Sequence, residues 1–542
     1  MRARLLLAAA ALAAFGASLV SGFHFDDYAI FDGANHASAA SLGAIFALRQ
    51  TRPLTYLTFW LNRALGGQDP LGYHALNLAL HLAAVMLAYA CLLRLLDRRA
   101  AWLAAALFAV HPMQAEAVDY VWARAIVLAA VFVFASLLAW MDDRPWLAVA
   151  LFALALLAKE ECAAFPLALW LLDACVVTRD RRVMTSSATS NRSVENRARA
   201  AGRKAEMTLG SAGLTARATA LGFIPLGGPQ AHGRSLWSRL RCCTSTRWAP
   251  LGVMLALSLA AGLRTIYAAA VTPGTQAGAQ AGISPAHYLL AQGTVLWRYL
   301  RLFAFPYGFT ADAEIRVPAA WLGVAAWLAI VAALAALWRW RRDLAIWLTA
   351  AALLMLPSSS IFPAADLAAD RRMYLALFPL AAAAALLLSR IRNRAIAPIF
   401  IAVLVVVSFG RTQVWASDES LWREAVLRAP DKVRPRIQLS RSVGTEEALA
   451  LLAEARRMAP DDATVAAETG RVLLAAGRPA EALAQFGRAL ALAPSDANNY
   501  NNRGVALQAL GQTEAARADF KRALELDPGL AAAGENLRKL AP

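Results

Sequence analysis

Over roughly the first 410 positions, apolar residues come in near-continuous runs rather than in alternation. Ala100–Val110, Ala125–Trp140, Leu147–Leu157, Trp321–Trp338, Leu344–Leu356 and Ile396–Phe409 contain no charge. Several are shorter than the ~20 residues that span a bilayer, and flanking amphipathic residues complete them. The pattern predicts eleven crossings, near Leu5–Val20, His74–Leu96, Ala100–His111, Ala115–Trp140, Trp146–Ala158, Cys162–Val177, Leu251–Ala270, Trp321–Trp338, Leu344–Leu356, Arg372–Leu388 and Ile396–Gly410. Basic turns at Arg98-Arg99, Arg144, Arg339 to Arg342 and Arg390 to Arg394 then fall on one side, the inner side by the positive-inside rule. The same count puts the segment from Phe23 and the C-terminus outside. Shorter amphipathic pieces are expected at Leu42–Arg49 and Leu54–Leu65, with an interfacial helix at His287–Phe305 carrying Arg298 and Arg301.

From Arg411 the period changes to that of a soluble helical array. Pro460, Pro494 and Pro528 recur every 34 residues, the tetratricopeptide period. Gly504, Ala516, Phe520, Ala523 and Pro528 hold the signature places of the last repeat, and Gly470, Ala482, Phe486, Ala489 and Pro494 those of the one before. Small residues are required where the two helices of a repeat cross closely, Phe fills the groove, and Pro stops the second helix by withholding a donor. A degenerate repeat ends at Pro460, and Ala531–Leu540 reads as a cap. The fold class is therefore all-α: a polytopic membrane helix bundle followed by a repeat solenoid. The expected divisions are 1–177, an N-terminal membrane half; 178–248, a basic loop; 249–410, a C-terminal membrane half; and 411–542, the repeats, with clean units at about 463–496 and 497–530.

Composition agrees with a membrane solvent: 59% of the 542 residues are hydrophobic, only 17% are charged, and the mean hydropathy is +0.46. The net charge of +17 would suggest nucleic acid in a soluble chain, but here Lys and Arg gather in inter-helix loops, and no nucleic-acid partner is expected. Thirteen of the basic residues lie in Thr178–Trp248 against three acids, which reads as a disordered inner loop. The five cysteines (Cys91, Cys162, Cys175, Cys242, Cys243) show neither zinc spacing nor a disulfide framework. Arg2 and Arg4 before Leu5–Val20 fit a signal peptide or a first crossing, and both deliver Phe23 to the outer face.

The polar residues that need explaining collect at the outer boundary. Asp26 and Asp27 are adjacent carboxylates beside lipid; they mark a loop end, or share a general-base role in which one is desolvated and the other orients it or holds a divalent cation. His74, Asn77 and His81 form a polar stripe on the second crossing, which helix-to-helix hydrogen bonding alone would explain. His111 and Glu116 sit at an outer turn with Arg124 just below it; Lys159-Glu160 forms another, and Arg371, Arg372 and Tyr374 cap the tenth crossing. Outer-side cations run against the positive-inside tendency and ask for a negative partner: the nearby acids, or a lipid phosphate that Arg binds bidentately. A carboxylate base beside such a site suits group transfer from a lipid-phosphate donor, with Arg124, Lys159, Arg371 and Arg372 on the phosphate and His74, Asn77, His81, His111, Glu160 and Tyr374 lining a pocket.

In their order, Phe25-Asp26-Asp27, Arg52-Pro53-Leu54-Thr55 with Asn62, Gly72-Tyr73-His74 with Asn77 and His81, His111-Pro112 with Glu116, Tyr120, Arg124, Lys159-Glu160, the Tyr299–Pro306 helix and Arg371 to Tyr374 resemble a known family. It is that of the transmembrane and tetratricopeptide repeat O-mannosyltransferases, of the lipid-linked (C-type) glycosyltransferase fold. The resemblance covers most of the chain except Thr178–Trp248, and it departs at Glu161-Cys162, where the family carries small or hydroxyl residues. It implies that Asp26 or Asp27 is the catalytic base; Glu116, a carboxylate at the same outer boundary, is a further catalytic candidate. The resemblance also implies a polyprenyl- or dolichyl-phosphate sugar as donor, and outward repeats that present a protein or glycan acceptor. A bacterial relative would sit in the cytoplasmic membrane. The contrasting expectation is a non-catalytic scaffold whose repeats collect partners for envelope assembly.

Overall fold

The computed structural model describes residues 1–31, 45–46, 50–177, 247–271, 278–359, 362–364, 366–393 and 395–540. The predicted loop (apart from Arg247 and Trp248), most of the Leu42–Arg49 piece, and Arg394 lie outside them. Every described element is helical except for turns and short extended links. The first half contains α1 (Arg2–Phe15), α2 (Pro53–Gly66), α3 (Pro70–Leu95), α4 (Arg98–Val110), α5 (Ala115–Asp119), α6 (Arg124–Met141), α7 (Pro145–Ala158) and α8 (Phe165–Leu172). The second half contains α9 (Trp248–Val271), α10 (Pro285–Ala304), α11 (Ala320–Trp340), α12 (Arg342–Met355), α13 (Leu377–Leu388) and α14 (Ile396–Val414). Six spans among the described residues are long and apolar enough to cross a membrane: Arg2–Val20, Pro70–Leu95, Val121–Met141, Trp248–Val271, Ala320–Trp340 and Ile396–Val414. Leu328, Val331, Ile399 and Val406 stand exposed on two of them, a surface that only lipid solvates well.

The core lies between the two halves, where α1, α3, α4, α6 and α13 bury Phe15, Leu92, Phe108, Phe134 and Phe378 against one another. Small residues let these helices approach: Ala100, Ala101, Ala104, Ala105 and Ala109 of α4 are all inaccessible. The helix expected at His287–Phe305 is α10. Rather than lying alone at an interface, it buries Tyr288, Val295, Tyr299 and Leu302 in the bundle and packs on α11, with Gly293 facing Gly323 and Trp327.

The fourth predicted crossing departs most from expectation. It breaks at Tyr120, an extended residue (φ −88°, ψ 117°) between α5 and a short turn leading into α6. The Asn77 amide donates to the freed carbonyls of Val118 and Tyr120 at 3.3 and 3.2 Å, so the break leaves neither oxygen orphaned. The tenth crossing starts later than expected, at Leu377, because Asp370–Met373 form a tight 3-10 turn.

The last membrane helix continues to Val414, past the expected boundary at residue 410, and leads into α15 (Asp418–Arg428), α16 (Val433–Leu439) and α17 (Thr445–Met458). Two regular hairpins follow, α18 (Ala463–Ala475) with α19 (Pro479–Leu492) and α20 (Ala497–Ala509) with α21 (Thr513–Leu526), closed by α22 (Ala531–Lys539). A Cβ at Gly470 would stand 2.7 Å from the Phe486 ring, and one at Gly504 2.6 Å from Phe520, which is why the signature requires glycine there. Ala482, Ala489, Ala516 and Ala523 are fully buried on the facing helices. α16 and α17 form the degenerate hairpin, with Ala448 and Ala455 buried.

Candidate active site

Phe25–Ile30 is a single 3-10 turn just beyond α1, and it sends its two carboxylates opposite ways. Asp27 is wholly buried, accepting from the backbone N–H of His24 (2.9 Å) and of Trp122 (2.7 Å). Burial pushes its carboxyl up to about 7 despite those two donors. Asp26 is exposed and faces a cavity of about 470 Å³. The Tyr120 hydroxyl donates to Asp26 Oδ2 at 2.9 Å, and the break before α6 is what delivers that phenol.

The opposite wall comes from the turn after α7. Lys159 is extended (φ −157°, ψ 129°) between Ala158 and the Glu160–Ala164 turn. Its ammonium is nearly inaccessible and lies 3.4 Å from Glu161, and burial lowers its pKa to about 8. Burial also works against the Glu160 charge, but Arg52, bonded to it at 2.5 and 3.0 Å, outweighs that and holds the carboxyl near 2.

The third wall comes from Pro357, Ser358, Phe362, Ala364, Asp366, Arg371 and Arg372. Arg371 pairs with Glu116 through its guanidinium and its backbone N–H. Among the described residues the neighbouring Arg372 donates only to neutral oxygens: the carbonyls of Asp366 (2.8 Å) and Leu367 (3.3 Å) and the Tyr288 hydroxyl (3.4 Å). The Asp366 carboxylate faces outward to Arg434 of α16 at 3.0 Å. Burial disfavours its charge, but Arg434, Arg371 and Arg372 hold its pKa below the usual range. The repeat array is thus seated on the Asp26 end of the bundle, where Lys432 also pairs with Asp312 and Asp418 with His24.

Of the residues singled out from sequence, Asp26, Lys159, Glu160, Arg371 and Arg372 line this cavity together. The others lie behind it. Arg124 is fully buried and donates to Asn77 and Asn62 (both 2.7 Å), Thr58 (3.2 Å) and the Tyr73 carbonyl (2.9 Å), with its guanidinium 4.6 Å from the Phe59 ring centre. Its donors are consumed in bracing α2 and α3 against α6, so it is not among the cavity cations. His74 donates to the Gly22 carbonyl, and His81 donates to that of Ala109 while accepting from the Tyr374 hydroxyl at 2.7 Å. His111 ties the α5 turn to the Phe303 carbonyl of α10. The expected polar stripe therefore staples helices and does not line a pocket. Arg52, Glu161, Tyr288 and Asp366 line the cavity without having been singled out as site residues. For Arg52 the signal was its place before Pro53; Tyr288 and Asp366 gave none. Among the described residues no three His, Cys, Asp or Glu side chains gather as a metal-ligating set.

A family model described as tetratricopeptide repeat matches residues 497–530, and one described as TPR repeat matches residues 470–511. Mouse protein O-mannosyl-transferase TMTC3 is 36% identical over 181 residues, 29% of this chain and 20% of that protein. Drosophila melanogaster protein O-mannosyl-transferase Tmtc1 is 42% identical over 117 residues, 20% of this chain and 14% of that protein. The chain spans about a fifth or less of the length of these curated relatives. The solved first TPR domain of human RPAP3 is 24% identical, covering 20% of this chain and 91% of that one, with a TM-score of 0.20. The chain carries tetratricopeptide repeats behind a helical membrane bundle and is, over part of its length, a homologue of proteins named protein O-mannosyl-transferases.

Proposed function

We propose that the chain transfers a mannose-like sugar from a polyprenyl-phosphate donor to a protein or glycan acceptor, at the outer face of the cytoplasmic membrane. The observation that carries this is the single cavity lined by Asp26, Lys159 and Arg372, at the end of the bundle where the repeats attach. Arg52 and Arg371 are each held by a carboxylate at hydrogen-bond distance, Lys159 stands 3.4 Å from Glu161, and Arg372 donates to neutral oxygens, so Arg372, with Lys159 beside it, is the cation best placed for an incoming phosphate. The names of the partial relatives point the same way.

Asp26 takes the proton of the acceptor hydroxyl as its oxygen bonds to the anomeric carbon. The bond from that carbon to the donor oxygen breaks, and its electron pair passes to the phosphate. Charge then accumulates on the leaving phosphate, where Arg372 and Lys159 stabilise it. Tyr120 fixes the carboxylate by donating to the oxygen not engaged with the acceptor. Glu116 acts through Arg371, whose charge it balances. The repeats hold the acceptor. Chelation of divalent cations tests whether a metal takes part.

Asp26→Asn and Asp27→Asn are to be compared with wild type in lipid nanodiscs given labelled polyprenyl-phosphate mannose and a peptide acceptor. Asp26→Asn is expected to lower turnover by about 10²–10⁴-fold, the range of a lost general base, with the donor KM little changed. Unchanged transfer would remove Asp26 from the chemistry.

A further inference from the structure

Phe25, immediately before Asp26, has φ +44°, and Asp143 is the other non-glycine with positive φ among the described residues. A bulky side chain rarely adopts that region, and it persists there only when its surroundings impose it. The surroundings are three aromatic rings. Trp422 of α15 meets Phe25 edge-on with centroids 4.5 Å apart, Tyr120 at 5.6 Å and Trp415 at 6.2 Å. All three are at least 97% buried. His24, the preceding residue, is pinned to the same junction: its Nε2 donates to the Trp415 carbonyl and its Nδ1 lies 2.7 Å from Asp418.

We propose that Trp422, on the first helix after the membrane bundle, is a positioning residue for Asp26: with Tyr120 and Trp415 it holds Phe25 in its left-handed conformation, and that conformation turns Asp26 to the cavity and Asp27 inward. The proposal rests on Asp26 being the acting carboxylate. It makes the seat of the repeat array part of the active site, because a shift of α15 reaches Asp26 through one side chain. Tyr120 strengthens the link, since its ring stacks on Trp415 (5.8 Å, 24°) while its hydroxyl holds Asp26.

The test uses the full chain in nanodiscs, with Trp422→Ala, Trp422→Phe, Phe25→Ala and, as a control on the same helix, Arg423→Ala, whose side chain lies on the surface. Two quantities are read: amide hydrogen exchange of residues 23–31, and kcat and donor KM for transfer from polyprenyl-phosphate mannose. Trp422→Ala and Phe25→Ala are expected to speed exchange of the His24 amide at least tenfold. They should also lower kcat at least tenfold with donor KM within twofold, while Trp422→Phe recovers most of both and Arg423→Ala changes neither. Wild-type exchange over residues 23–31 in Trp422→Ala overturns the proposal, as does an equal kcat loss in Arg423→Ala. If Trp422→Ala does not fold, Phe25→Ala decides from the other side of the contact. Full transfer by Asp26→Asn, with exchange accelerated as expected, would sink the base assignment and leave the clamp standing.

Discussion

The repeat array and the membrane half bury carboxylates and cations in opposite styles. In the array, most ion pairs, such as Arg478–Glu481 and Arg522–Glu525, lie on the solvent face; Glu468 and Asp519 are buried, each paired with a half-exposed arginine, and the seam between the helices is Gly, Ala and Phe repeated every 34 residues. In the membrane half, charges sit in the interior at the places where helices stop: Asp27 beyond the first crossing, Glu116 at the α5 turn, Lys159 after α7, Asp370 before α13. Regular backbone satisfies its own polar groups and leaves side chains free to pack. Broken backbone must be satisfied by side chains, and that requirement concentrates polar groups where chemistry can use them. One region gains order from periodicity; the other gains a site from interrupting it.

Each substitution below asks whether a residue belongs to the first logic or the second. The largest expected effect is on the stability of the membrane half. Arg371→Ala strands the Glu116 carboxylate, 8% exposed, and should cost about 3–5 kcal/mol, the range for removing one partner of a buried pair. Its neighbour Arg372→Ala leaves no carboxylate alone and should instead raise the donor KM with the fold largely kept. Thermal unfolding in nanodiscs set beside donor KM separates the two; equal unfolding penalties would erase the distinction.

Next comes the array. Gly504→Ala forces a Cβ against the Phe520 ring and should cost about 1–3 kcal/mol. Gly487→Ala has open space and a helical backbone, and should gain up to about 1 kcal/mol. Neither should move the donor KM, because the cavity that receives the donor is lined by residues of the membrane half. A smaller effect separates the cavity cations by pH. Lys159 is charged below about 8, so its hold on a phosphate is lost as pH rises through that value. The donor KM should climb above pH 8 in wild type and stay level in Lys159→Arg, whose guanidinium keeps its charge. A level profile in wild type would take Lys159 off the phosphate.

This contrast also explains what could be read from the residues alone. The apolar segments and the two clean repeats follow from period and length, and most of their helices appear near their expected ends, six spans among the described residues being long and apolar enough to cross a membrane. The breaks were harder to foresee. Nothing in Ala115–Trp140 announces a stop at Tyr120, because the break is held by an amide from another helix, Asn77. The same long-range pairing sets Arg124 apart from the outer cations, because Asn62, Thr58 and Tyr73 from α2 and α3 close around it. Asp26, Lys159 and Arg372 were recognisable because each is a charge at a predicted helix end. Tyr288 and Asp366 were not, since one sits on a helix face and the other in a polar segment without pattern.

The most direct test of a phosphate-binding cavity beside Asp26 is photo-crosslinking. Polyprenyl-phosphate sugar bearing a photoreactive group next to the phosphate is irradiated with the full chain in nanodiscs, and the labelled peptides are mapped by mass spectrometry. Label should fall on Lys159–Ala163 and Pro357–Arg372, compete away with unlabelled donor, and weaken in Arg372→Ala. Saturable label confined to the opposite end of the bundle, near Arg98 or Arg341, would contradict it.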